Sequence, residues 1–134
     1  GNEGSCVLMV ENGYSRLLIP GDIEQLAELR LRTEYDIDSA VLIVPHHGSK
    51  TSSGTRFIGE VDPDIAIISA GQPSRYQFPH PEIVRRYQER RIRLINTADY
   101  GHIQLKFDQS ASAIAISTFL PSSSRYWNAT LPAE

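Results

Sequence analysis

The residues that could do chemistry follow predicted strands in this sequence. Asp22 comes after the second predicted strand, and the adjacent pair His46 and His47 comes directly after the third. His80 lies in the loop after the fourth. Imidazole and carboxylate groups bind divalent cations, and a cation with an open coordination position acidifies a water near neutral pH. Since ligand sites of α/β sheets gather beyond the carboxyl ends of the strands, the pattern indicates a hydrolytic metal site.

Each of these residues also has a structural interpretation. An Asp at a strand-to-helix junction, such as Asp22, is commonly an N-cap. Because adjacent side chains point in different directions, we expect one of His46 and His47 to be a ligand and the other to support it or to face a substrate. His80 lies between two prolines and is either a site residue or part of a rigid surface loop. His102, which begins a predicted hairpin strand, is interpreted as structural.

Hydroxyl and basic side chains surround these positions in the sequence. Ser49, Thr51, Ser52 and Ser53 are able to bind a phosphate or to cap the next helix, and capping is favoured. Ser49, Lys50 and Thr51 are the candidates for substrate contact. Six arginines form a basic group that suits either a nucleic-acid backbone or, as we favour, a solvated helix face. They are Arg75, Arg85, Arg86, Arg90, Arg91 and Arg93.

Buried strands that alternate with helices must position these residues. The predicted strands are 5–10, 16–19, 40–44, 65–69, 91–96, 102–107 and 111–118, and the predicted helices are 23–32, 55–61 and 81–90. In the first helix, Ile23, Leu26, Ala27 and Leu29 fit one apolar face. The order predicts an α/β fold with a mixed β-sheet and flanking helices.

Composition limits the function further. A chain of 134 residues with 40% hydrophobic residues is expected to form one globular unit. The net charge of -3 excludes the overall basic character of sequence-independent nucleic-acid binders. One cysteine, Cys6, excludes an internal disulfide and a Cys-rich zinc site. No apolar run approaches the ~20 residues of a membrane span, so we expect the chain to be soluble as it stands.

Several segments, taken together, resemble the metallo-β-lactamase-fold domain of ComEC-type DNA-uptake proteins. They are Leu17-Leu18-Ile19-Pro20-Gly21-Asp22-Ile23-Glu24, the stretch 42–53 with Pro45-His46-His47-Gly48-Ser49-Lys50-Thr51-Ser52-Ser53, Ala66-Ile67-Ile68-Ser69 and Pro79-His80-Pro81. The resemblance runs from about Ser5 to Phe107, and Arg125-Tyr126-Trp127 is similar to the ending of proteobacterial members. The His-His-Gly-Ser segment is its most specific part.

The resemblance implies a four-layered αβ/βα sandwich that binds divalent metal, Zn²⁺ or Mn²⁺, and acts as a nuclease on the non-transported DNA strand. Asp22 is implied to be the bridging carboxylate, and His46 or His47 a ligand of the second metal, with His47 favoured. His80 corresponds to a family histidine near the site, with a role in substrate or leaving-group contact.

One family motif is absent. The family's first metal motif, His-x-His-x-Asp-His, does not occur, and no two histidines lie two residues apart. We therefore expect residues 1–120 to be a partial domain, half or more of the sandwich, followed by a flexible tail at 121–134. Weak or no metal binding and no catalysis are expected of this fragment by itself, since two or three ligands bind metal weakly.

The missing half also determines the expected partners. We expect DNA contact through the parent protein, docking of the missing N-terminal half, and a homodimer in isolation through the exposed sheet face. The parent is expected in the bacterial inner membrane, with this domain on the extracytoplasmic side. The alternative functions are a non-catalytic DNA-binding or structural module of the uptake channel, or a different hydrolase on the same fold.

Overall fold

A mixed sheet forms the centre of the fold in the computed structural model, which describes residues 2–71 and 77–119. Its strands are β1 (Leu8–Glu11), β2 (Arg16–Ile19), β3 (Val41–Ile43), β4 (Ile65–Ile68) and β5 (Arg93–Asn96), and they lie side by side in chain order. β1 is antiparallel to β2, whereas β2 to β5 are parallel. The predicted α/β class with a mixed sheet is confirmed, and the arrangement is consistent with part of a metallo-β-lactamase-like sandwich.

Helices follow the parallel strands, as the alternating pattern predicts. They are α1 (Gln25–Glu34), α2 (Thr55–Val61), α3 (Pro81–Glu89) and the one-turn helix α4 (Thr97–Tyr100). α3 begins at Pro81 as predicted, because a proline at the first helical position loses no hydrogen bond. α4 lies between the predicted strands 91–96 and 102–107, where no helix was predicted.

The main core lies between the sheet and these helices. Leu42 and Ala66 of the sheet pack in one cluster with Phe57 of α2 and with Ile83 and Tyr87 of α3, and all five are buried. The short apolar runs of β3 and β4 are thus central parallel strands, which are buried because helices cover them. Their carboxyl ends are held rigidly by this packing.

A hairpin of β6 (His102–Phe107) and β7 (Ile114–Phe119) forms a separate two-stranded sheet. It follows β5 through α4, and its turn region is hydrogen-bonded to the β1–β2 connection through Asn12 and Ser15. The hairpin therefore runs from one edge of the central sheet to the other. β7 begins three residues later than the predicted position 111, because Asp108 and Ser110 form a hydrogen-bonded turn before it.

The start and the inward face of α1 differ from the prediction. The helix begins at Gln25 with Glu24 at the N-cap position, so Asp22 is not the N-cap. Leu26 and Leu29 are 51% and 43% exposed, whereas Glu28 is only 2% exposed. The predicted apolar face is wrong because the carboxylate of Glu28 finds backbone N–H partners inside the protein, which offset the cost of its burial.

Two sequence predictions fall on residues that the structure does not describe. The predicted tail at 121–134 and Arg75 of the basic group lie outside the described residues.

Among residues 2–71 and 77–119, none of the helices combines the length and the apolar character that a bilayer span requires.

Candidate functional site

The His46-His47 segment forms an unusual turn at the end of β3. Pro45–Gly48 is a 3₁₀ turn in which His46 and His47 have positive φ angles of 48° and 55°. Gly48 follows with a φ of 80°, and a Cβ atom there would lie 2.7 Å from the Cβ of Pro79. Non-glycine residues adopt this conformation only where the surroundings enforce it. The turn brings both imidazoles to the carboxyl edge of the sheet.

His47 faces Asp22 at this edge. The Nε2 atom of His47 lies 3.5 Å from Oδ1 of Asp22, and both side chains are about half exposed. The Nδ1 atom of His47 lies 2.7 Å from the carbonyl oxygen of Ser69, just beyond β4. Because a carbonyl only accepts hydrogen bonds, Nδ1 must carry the proton and donate it. In its neutral form the imidazole turns the lone pair of Nε2 towards the carboxylate, whereas the imidazolium form would donate a second proton to it.

Two acceptors that face each other in this way need a cation or a proton between them. Ligating histidines commonly donate their other ring N–H to a backbone carbonyl, which fixes the tautomer and the ring orientation. The Asp22–His47 pair, with the carbonyl of Ser69 behind it, has this arrangement. Its donor set therefore fits a divalent cation.

His46 points to a different carboxylate. Its Nδ1 atom lies 3.5 Å from Oε1 of Glu24, and the amide of Asn2 lies within hydrogen-bonding distance of both groups. The two adjacent imidazoles diverge, as expected, and each lies beside a separate carboxylate, which was not predicted. Glu24 and Asn2 were not among the predicted site residues, although a second acid two positions after Asp22 in the sequence was a usable signal.

An aromatic ring lies next to both imidazoles. The centroid of the Phe78 ring is 5.8 Å from that of His46 and 6.5 Å from that of His47. Phe78 was not predicted as a site residue because an isolated Phe in a loop carries no signal of its own. It adds an apolar wall beside the polar pairs.

His80 is the N-cap residue of α3. Its Nδ1 atom accepts a hydrogen bond from the backbone N–H of Glu82, and its own backbone N–H donates to the carbonyl of Gly48. With Nδ1 acting as an acceptor, a neutral His80 carries its proton on Nε2. His80 is therefore joined to the His46-His47 turn through the backbone, and its ring has one proton to donate.

The hydroxyl groups after the turn do not cap α2. Its N-cap residue is Gly54, with no side-chain cap, so the favoured capping interpretation is wrong. Ser52 and Ser53 are buried, and their hydroxyls bond to backbone carbonyls and to Tyr87, respectively. Ser49 is also buried and its hydroxyl contacts that of Thr51, whereas Lys50 and Thr51 are exposed.

The arginines of the predicted basic group do not share one environment. Arg86 donates to the carbonyls of Ser52 and Ser53 and pairs with Glu82, so it is part of the loop structure. The Arg86 guanidinium holds the pKa of the Glu82 carboxyl below its usual value. The other arginines of the group within the described residues are exposed, namely Arg85, Arg90, Arg91 and Arg93.

The described part of the chain does not contain a complete set of metal ligands. No group of three or more His, Cys, Asp or Glu side chains gathers there as a metal site would require. Asp22 and His47 fit a cation, and His46 with Glu24 forms a second pair beside them. His102 lies on β6, where its ring packs beside Phe119.

The fold and the site define this chain as an α/β domain with paired histidine and carboxylate side chains at the carboxyl edge of a mixed sheet. No protein-family model matches the chain. It shares 35% identity over 116 residues with ComE operon protein 3 of Bacillus subtilis, an alignment that covers 86% of this chain and 15% of that protein.

Two other relatives give similar values. Recombination protein 2 of Haemophilus influenzae is 39% identical over 109 residues, 81% of this chain and 14% of that protein. Competence protein ComA of Neisseria gonorrhoeae is 36% identical over 105 residues, 77% of this chain and 15% of that protein. The chain therefore belongs to the ComEC family of competence proteins, and it spans about 15% of the length of the curated relatives it matches.

Proposed function

We propose that this chain supplies part of a metal-dependent phosphodiesterase site that cuts DNA during uptake in natural transformation. The names of the relatives, which refer to competence and recombination, support a role in DNA uptake. The observation that carries the catalytic proposal is the Asp22–His47 pair, with the tautomer of His47 set by Ser69.

In this proposal Asp22 and His47 hold a divalent cation, Zn²⁺ or Mn²⁺. The bound cation supplies Lewis acidity towards a phosphate oxygen and lowers the pKa of a water. The resemblance to the family implies that further ligands come from a His-x-His-x-Asp-His segment in the other half of the domain. His46 belongs to the same site but is oriented by Glu24 and Asn2.

The remaining side chains have separate roles in the proposal. His80, whose neutral ring carries a proton on Nε2, donates a hydrogen bond to the oxygen that leaves phosphorus and stabilises its developing charge, while water supplies the proton that this oxygen takes up. The exposed Lys50 and Thr51, next to Ser49, contact the phosphates of the DNA backbone. We also propose that the chain works within a longer protein of the bacterial inner membrane, on its extracytoplasmic side.

The test is DNA cleavage by the full-length protein that carries this chain. Asp22→Asn and His47→Gln are expected to lower the cleavage rate with Mn²⁺ or Zn²⁺ by at least ~100-fold, the upper end of what losing a supporting residue alone costs. His102→Gln is the matched control, since this histidine lies on the hairpin, and it should cut normally.

Two results would contradict the proposal. One is a full-length protein that cuts no DNA with either cation, and the other is an Asp22→Asn variant that cuts as fast as the natural protein. DNA binding without cleavage in a gel-shift assay would favour the binding module instead.

A further inference from the structure

The loop from Pro45 to Gly54 carries both histidines in a conformation that its own sequence does not favour. His46, His47 and Ser53 all have positive φ angles. Such residues each cost free energy and persist where surrounding contacts over-determine them. The contacts that hold this loop are therefore part of how the site is built.

The loop is first closed on itself. The hydroxyl of Ser52 donates to the carbonyls of Pro45 and Ser49, both at 2.9 Å. The N–H of Ser49 donates to the carbonyl of His46. The start and the end of the loop therefore move together, and a group that holds the end also restrains the histidines.

The group that holds the end is the carboxylate of Glu28 on α1. It accepts hydrogen bonds from the backbone N–H groups of both Ser53 and Gly54, the latter at 2.8 Å. The side chain is 2% exposed, and a buried carboxylate in such a position is costly unless it is satisfied. Burial raises the pKa of the Glu28 carboxyl, while the Gly54 and Ser53 amides and Arg86 oppose this shift.

Glu28 belongs to the same chain segment as Asp22, whereas the loop belongs to the segment of His47. Two backbone hydrogen bonds already join these segments, from Gln25 N–H to the carbonyl of Thr51 and from His46 N–H to the carbonyl of Gly21. Glu28 adds the third and innermost connection. Together they join the segment that carries Asp22 to the loop that carries His47.

We propose that Glu28 is a positioning residue: through the Ser52–Gly54 end of the loop it keeps the His47 ring where its Nδ1 atom reaches the carbonyl of Ser69, and so maintains the orientation and the tautomer of the ring. This inference rests on the proposed cation site, but its first readout needs neither a cation nor DNA. Glu28 itself touches no reacting group in the proposal, so its effect is transmitted entirely through the loop.

The experiment compares Glu28→Gln with Glu34→Gln in the 134-residue chain. An amide offers one acceptor oxygen, so Gln leaves one of the two backbone N–H groups unpaired, whereas Glu34 is an exposed acid on the same helix. Nitrogen-15 NMR of the histidine rings reports the tautomer of His47. The natural chain and Glu34→Gln should show a single form protonated on Nδ1, and Glu28→Gln should show a mixture.

The second readout is the affinity for Mn²⁺ and Zn²⁺ in the full-length protein. Glu28→Gln is expected to weaken binding about 10- to 100-fold, the usual cost of losing a group that orients a ligand. If Glu28→Gln does not fold, Arg86→Gln is the second variant, because it removes the hydrogen bonds to the carbonyls of Ser52 and Ser53.

The outcomes separate this inference from the proposed function. A His47 ring that keeps the Nδ1-protonated form in a folded Glu28→Gln or Arg86→Gln variant, with unchanged cation affinity, overturns the positioning role. A tautomer change in a protein that cuts no DNA supports the positioning role and contradicts the proposed nuclease only.

Discussion

The Nε2 atom of His47 lies 3.5 Å from Oδ1 of Asp22, and the other ring nitrogen of His47 is hydrogen-bonded to the carbonyl of Ser69. Three chain segments thus meet at one imidazole. Its immediate neighbour, His46, lies equally close to a different carboxylate, that of Glu24. Because each histidine lies beside its own carboxylate, substituting Asp22 and Glu24 separately tests which of the two histidines binds the cation.

We predict that Asp22→Asn weakens Mn²⁺ binding by the full-length protein more than Glu24→Gln does. Asp22 is the proposed ligand, so its loss should cost at least ~10-fold in affinity. Glu24→Gln keeps a polar group beside His46 and should change the affinity less. Isothermal titration calorimetry measures both. A larger effect of Glu24→Gln would assign the cation to His46.

Gly48→Ala should destabilise the turn that carries the histidines. A Cβ atom would meet Pro79 at 2.7 Å, and the φ of 80° is unfavourable for alanine. Gly13→Ala is the matched control, because Gly13 has a φ of 83° but open space around it. We expect about 1–2 kcal/mol for the left-handed backbone at each position, and a further ~1–3 kcal/mol for the clash at Gly48.

Urea unfolding of both alanine variants measures the two costs. Equal free energies of unfolding for the two variants would show that the contact between Gly48 and Pro79 does not constrain the site. A larger loss of unfolding free energy in Gly48→Ala than in Gly13→Ala would show that this contact does constrain the turn.

Stability at alkaline pH should depend on Tyr87. Burial raises the pKa of the Tyr87 hydroxyl well above its ordinary value of 10.0. Below that pH both the folded and the unfolded states keep the proton. Above it the unfolded state releases the proton first, so the contribution to stability is lost as pH rises. We expect Tyr87→Phe to flatten this decline.

At neutral pH, Tyr87→Phe should also cost about 1–3 kcal/mol, because the buried Ser53 hydroxyl loses its hydrogen-bond partner. Tyr35→Phe, at an exposed position, is the control. It should change neither the free energy of unfolding at neutral pH nor its decline at alkaline pH. Urea unfolding between pH 7 and 11 measures the slope. An identical alkaline slope for Tyr87→Phe and the natural chain would contradict the prediction.

Self-association remains a prediction for the chain in isolation. β1 is the edge strand of the central sheet, and its Leu8 and Val10 side chains are exposed. Free apolar edges favour pairing with another chain, and lysine on an edge strand opposes it. We expect concentration-dependent dimers that Val10→Lys shifts to monomers, as measured by analytical ultracentrifugation.

Leu26→Lys is the control for this experiment, because Leu26 is equally apolar and exposed but lies on α1. It should leave the dimer intact. A natural chain that stays monomeric at all concentrations would contradict the prediction. If Val10→Lys and Leu26→Lys weaken the dimer equally, the contact between the two copies is not specific to β1.

The local pattern of the sequence was sufficient for most of the secondary structure. Short apolar runs at β3 and β4 indicated buried parallel strands, and Pro81 marked the start of α3. These signals depend on interactions within a few residues, such as side-chain periodicity and the missing N–H of proline. They also placed Asp22 and His47 at the ends of strands that share one sheet edge.

The inward face of α1 could not be derived in this way. Leu26 and Leu29 are the more apolar residues, yet Glu28 is the one that is buried. The reason lies outside the helix, in two backbone N–H groups at Ser53 and Gly54 that need acceptors. A helix turns its polar residue inward when a distant segment supplies partners for it.

The sequence by itself determined the alternation of strands and helices and the polar residues that follow each strand, because both are written in local patterns. Only the tertiary structure decided that His47, rather than His46, faces Asp22. That choice depends on the left-handed turn after β3 and on the carbonyl of Ser69 beyond β4, which approach each other only when the parallel strands are paired.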